Sequence, residues 1–193
     1  MEAKPRMAST KRRLFLGIPL PEDVKTHLAK QIEKFPGKII PLQNWHLTLH
    51  FLGNVEEERL PHIHNALQSI SLGKPFALTF DHLGGFPHPR RARTLWVGAI
   101  EGTDKLRQLV QITGETLATL GFAIDPRPYI PHLTVSRFYR PQHLTDLIKD
   151  NPLESISMEV NRFILYESIL NQGPPRYVEL YIYKMGHSLK NRS

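Results

Sequence analysis

The spacing of apolar residues along this chain alternates between segments typical of strands and segments typical of helices. The run Leu14–Leu20 is almost wholly apolar, which predicts a buried strand. After Pro21, the residues Val24, Leu28 and Ile32 recur every fourth position, which predicts a helix with one apolar face. Further strands are predicted at His46–Leu52, Phe76–Phe80, Thr94–Ile100, Tyr129–Phe138, Ile156–Glu167 and Tyr177–Lys184. Further helices are predicted around Leu60–Ile70, from a cap at Thr103 to Leu120, and near Leu144–Lys149, with a loop that contains Gly84 and Gly85.

The order of these elements repeats. A strand, a helix, a proline-containing loop and a strand that begins His-Leu-Thr occur within Leu14–Leu52, and the same series occurs within Thr94–Phe138. Each His-Leu-Thr strand is followed by a helix and then by two strands. Such an internal repeat predicts two pseudo-symmetric lobes.

The two copies of the repeat overlap. The second begins on the strand that ends the first, so the copies, roughly 13–100 and 94–186, interlock within a single domain over 13–186. The basic residues 1–12 are expected to form a disordered tail, and 187–193 a polar tail.

Both His-Leu-Thr strands alternate between polar and apolar residues. Strict alternation assigns these residues to the polar faces: His46, Thr48 and His50 in the first strand, and His132, Thr134 and Ser136 in the second. It assigns Phe51 to the core face, where packing is a simpler explanation than stacking on a nucleobase. It also places Arg137 on the face opposite His132.

His-x-Thr triplets are more frequent than chance predicts. The sequence has three, although random placement of its ten histidines would give fewer than one. The third, His143-Leu-Thr145, follows a proline and precedes a short helix, where Thr145 can act as a local cap. The first two lie at equivalent points of the repeat, 86 positions apart, and are therefore the candidate functional pair.

Two imidazoles on either side of one cleft can perform acid–base chemistry on a phosphate. Histidine is the side chain whose ordinary pKa allows both roles near neutral pH. One neutral ring can take a proton from the attacking group while a protonated ring gives one to the leaving oxygen. Thr48 and Thr134 can donate hydrogen bonds to the non-bridging phosphate oxygens. This scheme requires neither a metal ion nor another cofactor.

Composition narrows the function classes further. The 193 residues contain no cysteine, which excludes disulfides, thiolate metal sites and cysteine nucleophiles and suits a cytoplasmic protein. The net charge of +7 favours a polyanionic partner such as RNA. Neither a signal peptide nor an apolar stretch long enough to cross a bilayer is evident, so we expect no membrane contact. We also expect a monomer.

The two motifs resemble a known family. HLTLHFLG (His46–Gly53) and PHLTVSR (Pro131–Arg137) are similar to the paired motifs of the 2H phosphoesterase superfamily. RLFLGIPLP (Arg13–Pro21), LGGFP (Leu83–Pro87) and TLWVGAI (Thr94–Ile100) fit its bacterial and archaeal RNA 2′,3′-cyclic phosphodiesterases, also called 2′–5′ RNA ligases. The resemblance extends from about residue 13 to 185.

The resemblance implies a fold and a reaction. The fold would be bilobal α+β, with two antiparallel sheets flanking a central cleft and helices outside. The reaction would hydrolyse a 2′,3′-cyclic phosphate end of RNA to a 2′-phosphomonoester. His46 would be the proton donor and His132 the proton acceptor, while Thr48, Thr134 and Arg137 would bind the substrate.

Other interpretations remain open at this stage. The same site could act as a 2′–5′ RNA ligase or on a small cyclic nucleotide, or the protein could bind RNA ends without catalysis. A histidine-based metallohydrolase is a further alternative, although His62 and His64 have no carboxylate at ligand spacing. His50 and the basic loop with Arg90, Arg91 and Arg93 are candidates for RNA contact.

Overall fold

A computed structural model describes residues 10–170 and 172–186, in which strands and helices alternate as the sequence predicts. The elements are β1 (Lys11–Pro19), α1 (Glu22–Ile32), β2 (Lys38–Ile39), β3 (His46–Glu56), α2 (Leu60–Gln68), β4 (Phe76–Phe86), β5 (Ala92–Ala99), α3 (Thr103–Thr119), β6 (His132–Gln142), α4 (Thr145–Asp150), β7 (Ile156–Val160), β8 (Arg162–Ile169) and β9 (Arg176–Lys184). Strand β1 thus begins inside the predicted N-terminal tail. The rest of that tail, up to residue 9, and the predicted tail 187–193 lie outside the described residues.

The strands form two antiparallel sheets that exchange one strand each. The first sheet has the order β3-β1-β8-β9, and the second has the order β2-β6-β5-β4-β7. Strand β4 follows the first His-Leu-Thr strand in the chain, yet it pairs with β5 in the second sheet. Strand β8 follows the second motif, yet it pairs with β1 in the first sheet. The predicted α+β class with two antiparallel sheets is confirmed.

One apolar core joins both sheets to the helices. The fourfold spacing on α1 buries Val24, Leu28 and Ile32 in the same cluster as Leu47 of β3 and Leu133 of β6. Proline and two acidic residues begin this helix, where the peptide dipoles favour negative charge. No helix within the described ranges is long and apolar enough to cross a membrane.

Three predictions of strand boundaries and helix caps were wrong. The segment predicted as one strand over Ile156–Glu167 is two strands, because the chain leaves the second sheet at Asn161 and enters the first. The N-cap of α3 is Gly102 rather than Thr103, whose hydroxyl instead donates to the Ile100 carbonyl. Likewise, α4 is preceded by Leu144 as N-cap, so Thr145 is its first residue and makes no side-chain cap.

Gly84 and Gly85 lie within strand β4 and not in a loop as predicted. The reason is close packing rather than a turn. A Cβ built on Gly84 would lie 2.1 Å from the indole of Trp96, so only glycine leaves room for that ring. The indole in turn lies against the His132 ring, with centroids 6.2 Å apart, so this packing supports the second motif.

We expect Gly84→Ala to lower the free energy of unfolding by about 3 kcal/mol, because the new methyl group overpacks a rigid indole. Gly121→Ala is the matched control, since Gly121 has a positive φ of 81° but nothing within 4 Å of its Cβ position. Left-handed strain alone should cost about 1 kcal/mol there. Urea unfolding measures both, and equal losses would contradict the packing explanation.

Candidate active site

Each His-Leu-Thr strand carries one extra residue at the same place. Where β3 pairs with β1, Thr48 lies opposite Gly17 and His50 lies opposite Leu16, so Leu49 has no partner of its own. Strand β6 has the equivalent bulge at residue 135, against β5. Because side chains alternate between faces, one extra residue reverses the face assignments that follow it. The reversal extends to the next register shift, which comes after Phe51 in β3 and after Arg137 in β6.

In the first sheet, the bulge changes which residues share a face with His46. His46, Thr48 and Phe51 lie opposite alternate residues of β1 and therefore on one face. Phe51 is 71% exposed, so the prediction that it is a core residue was wrong. The prediction for His50 was also wrong, because its side chain is turned into the core, where it is 8% exposed.

His50 has a structural role behind the motif. Its Nε2 lies 2.8 Å from the Val110 carbonyl of α3 and 3.1 Å from the Thr113 hydroxyl. Burial lowers the pKa of His50, against the effect of the bond to Val110, and so favours the neutral ring. The imidazole therefore joins strand to helix and does not face the same space as His46.

In the second sheet, the matching bulge places Arg137 beside the motif. His132, Thr134 and Arg137 lie opposite alternate residues of β5, so they share one face. Ser136, predicted on that face, is 1% exposed and packs inside. Strict alternation had put Arg137 on the far side, and the bulge removes that obstacle.

The two histidines are held by the same contact. Nδ1 of His46 donates to the Asn44 carbonyl at 2.8 Å, and Nδ1 of His132 donates to the Ile130 carbonyl at 2.7 Å. In both cases the acceptor is two residues earlier in the chain. A carbonyl can only accept, so each bond fixes the proton on Nδ1 and leaves Nε2 available for chemistry.

The environment of both rings disfavours their charged forms. Burial lowers the pKa of His46 to about 4, although the bond to the Asn44 carbonyl acts in the opposite direction. The charge of His132 lowers the His46 pKa further, so the two rings interact across the space between the sheets. Burial also lowers the pKa of His132, against the effect of the Ile130 carbonyl.

Residues of both sheets meet around this space, which we call the cleft. Tyr177 of β9 contacts the edge of the His46 ring, with centroids 5.1 Å apart. Burial raises the pKa of Tyr177, while the positive charges of Arg137 and Arg13 lower it. The charge of Arg137, in the second sheet, therefore acts on a residue of the first sheet that contacts His46.

Aromatic side chains form the walls of the cleft. The ring of Phe15 lies 4.7 Å from that of His46, and Phe86 lies 4.9 Å from His132 in an edge contact. The sequence analysis did not single out these two residues or Tyr177. For Phe15 and Phe86, their position inside the family-like segments was the only signal.

Two further polar groups near the cleft were missed. The Tyr129 hydroxyl donates to the backbone carbonyl of Thr48 at 2.8 Å and so links the approach to β6 with β3. His82, paired with Asp81, lies over Gly98, the residue opposite His132. A Cβ on Gly98 would lie 2.3 Å from His82 Nε2, so the missing side chain makes room for this ring.

The remaining candidates lie elsewhere. His143 is exposed just before α4. Arg90 and Arg91 are exposed in a short turn before β5, and Arg93 is exposed within β5. His64 stacks on the Tyr181 ring at 4.0 Å and thereby packs α2 against β9. Across the described residues, no group of three or more histidine or acidic side chains could hold a metal ion.

Comparison with known proteins agrees with this arrangement. The family model described as LigT-like phosphoesterase matches twice in succession, at residues 18–96 and 97–176, and so covers most of the sequence. The chain belongs to the LigT-like phosphoesterase family. The two matches meet within β5, the strand that the sequence analysis assigned to both copies of the repeat.

Individual members of the LigT-like family are similar over nearly their whole length. The chain is 36% identical to the RNA 2′,3′-cyclic phosphodiesterase of Methanocaldococcus jannaschii, covering 86% of this chain and 96% of that protein. Identity to the RNA 2′,3′-cyclic phosphodiesterase of Thermotoga maritima is 34%, over 88% and 93%. The crystal structure of E. coli LigT complexed with 3′-AMP superposes with a TM-score of 0.76 at 28% identity, over 92% and 100%.

In the free protein we expect His46 to titrate with a midpoint near 4 and His132 below 6.5, because burial disfavours both imidazolium forms. Both rings are then neutral at pH 7. Inorganic phosphate should raise both midpoints, since a nearby negative charge favours the protonated ring. An NMR titration of the ring protons measures these shifts, and a free His46 midpoint at or above 6.5 would contradict the described environment.

Proposed function

We propose that this protein hydrolyses the 2′,3′-cyclic phosphate end of RNA to a 2′-phosphomonoester. The observation that carries the proposal is the matched pair of histidines, each with Nδ1 bonded to a carbonyl and Nε2 free beside one cleft. Relatives in the LigT-like family are named for this activity. Binding alone would not need two imidazoles oriented alike.

In the proposed reaction, each histidine moves one proton. Neutral His132 accepts a proton from water at Nε2 as the water oxygen bonds to phosphorus. His46, protonated at Nε2, donates that proton to the ribose 3′-oxygen as the bond between phosphorus and this oxygen breaks. The phosphate stays on the 2′-oxygen, and the two rings end in exchanged protonation states.

The low pKa of His46 fits this role once substrate is bound. In the free protein the ring is neutral at pH 7, and the negative charge of a phosphodiester stabilises its protonated form. Because the environments of both rings favour low pKa values, we expect the optimum of kcat/KM below pH 6.5. The optimum of kcat should lie higher, because kcat reports on the substrate complex.

The residues around the histidines supply binding groups. Thr48 and Thr134 share a face with the two rings and can donate hydrogen bonds to the non-bridging oxygens. Arg137 can offer two parallel donors to the same phosphate. The exposed ring of Phe51 presents an apolar surface on which a nucleobase can stack.

The setting of the proposed activity follows from charge and composition. A net charge of +7 suits an RNA partner, and the absence of cysteine suits a reducing cytoplasm. A monomer suffices, because one chain supplies both histidines. The reaction as written uses no metal ion or cofactor.

The decisive experiment identifies the product. We expect the purified protein to convert an oligonucleotide with a 2′,3′-cyclic phosphate into one with a 2′-phosphate, at the same rate with or without EDTA, since two imidazoles perform both proton transfers. Mass spectrometry detects the added water, and comparison with both phosphate isomers by chromatography identifies the product. Loss of activity in EDTA that zinc or manganese restores would favour a metallohydrolase.

Replacing either histidine should remove the reaction without unfolding the protein. We expect His46→Ala and His132→Ala to lower kcat by about 10²- to 10⁴-fold each, and the double variant to lose far less than the product. His143→Ala is the matched control and should retain full activity, because that ring is exposed outside the cleft. If His143→Ala is as damaging as His132→Ala with the fold intact, the assigned pair is wrong.

A further inference from the structure

Three residues lie beyond the histidine motif in the second sheet, on the neighbouring strands β2 and β6. Arg137 lies opposite Lys38 of β2, and side chains of paired residues share a face. Phe138 is buried in the core, whereas Tyr139, two residues beyond Arg137 on β6, is exposed. We call Lys38, Arg137 and Tyr139 the outer strip.

The outer strip has two positive charges without an acidic partner among the residues that the structure describes. Like charges directly opposite each other in a sheet destabilise it. Among residues 10–170 and 172–186, no carboxylate forms a salt bridge with Lys38 or Arg137, although other basic residues are paired, as Arg12 is with Glu57 and Glu167. An anion from outside the protein would relieve this repulsion.

Tyr139 adds an unused aromatic surface. Its side chain is 95% exposed, so folding recovers almost nothing for placing a large ring there. An exposed aromatic ring among cations is the arrangement on which successive bases of single-stranded nucleic acid stack. Bases within a duplex are already stacked and paired and cannot use such a ring.

Tyr139, at the far end of the strip, lies at a distance from the reacting phosphate. Seven residues lead from His132 to Tyr139, and at about 3.3 Å per residue this places the ring roughly 20 Å along the strand. A mononucleotide held at the histidines therefore does not reach it. Only a longer chain can occupy both places.

We propose that the outer strip binds the unpaired RNA strand that leads to the cyclic end, with Lys38 on a backbone phosphate and Tyr139 under a base. This inference rests on the proposed function, because it takes the cyclic end to be held at His46 and His132. It makes the substrate a single-stranded RNA end of several nucleotides rather than a free cyclic nucleotide.

The test compares two substrates that differ only in length. One is a 2′,3′-cyclic mononucleotide, and the other is an unpaired six-nucleotide RNA ending in the same cyclic nucleotide. We expect Tyr139→Ala to lower kcat/KM on the longer substrate by about tenfold, the effect of losing one stacked base. Lys38→Gln should lower it as well and reduce the salt slope of binding by about 0.7, the value for one phosphate contact.

Both variants should leave hydrolysis of the mononucleotide unchanged. Lys105→Gln, an exposed lysine on α3, is the matched control and should behave like the wild type on both substrates. Equal losses on the two substrates, or no loss on the longer one, would overturn the proposal. Equal kcat/KM for the unpaired RNA and for a blunt duplex with the same end would overturn its restriction to single strands.

A binding measurement separates this inference from the proposed function. If the wild type hydrolyses neither substrate, the proposed function fails. The outer strip is then tested by fluorescence anisotropy with the same six-nucleotide RNA ending in a 2′-phosphate. Weaker binding by Tyr139→Ala supports the strip, and affinity equal to that of the wild type overturns it.

Discussion

The extra residue in each His-Leu-Thr strand is the constraint on which the rest of the site depends. A regular strand sends every second side chain to the same face, so a histidine and the residue five positions later must point apart. One bulge, placed three residues after the histidine, brings them together. The same step buries the intervening His50 and Ser136 and lets the core close behind the site. The same unpaired residue in each strand thus serves both the arrangement of the site and the packing of the core.

Most of the architecture could be predicted because it depends on periodicities that extend over many residues. The fourfold spacing on α1, the paired motifs and the order of elements all survive in the structure. The exchange of β4 and β8 between sheets was not predicted, because each strand has an apolar pattern that either sheet would accept. Likewise, the break at Asn161 interrupts an apolar run that remains compatible with one long strand.

Periodicity alone could not predict which face of the sheet each residue after the bulge occupies. HLTLHFL alternates well in either register, and the sequence alone contains no mark of the unpaired Leu49. The one available signal was comparative within the chain. Phe51 and Arg137 occupy the same place in the two copies, and a phenylalanine and an arginine rarely share a core position. The histidine pair itself was found because repetition at equivalent positions is improbable by chance.

The arginine and histidine side chains of the site contribute charge in different ways. The charges of Arg13 and Arg137 act on Tyr177 beside the cleft, while burial favours the neutral form of both histidines until an anion arrives. The free site therefore does not need to bury a charged imidazole, which would be costly. In the proposed reaction, substrate binding and protonation of His46 become one coupled event.

The exchange of strands also bears on how the two halves can differ. If each half were a separate chain and two identical copies swapped a strand, both motifs would be forced to contain the same residues. Covalent linkage removes that restriction while keeping the shared architecture. In the proposed complex, Phe51 can then face a base where Arg137 faces a phosphate. In the structure, His50 occupies the place that Ser136 fills in the other half. Two chemically identical imidazoles thereby acquire different neighbours, and the proposed acid, His46, can differ from the proposed base, His132.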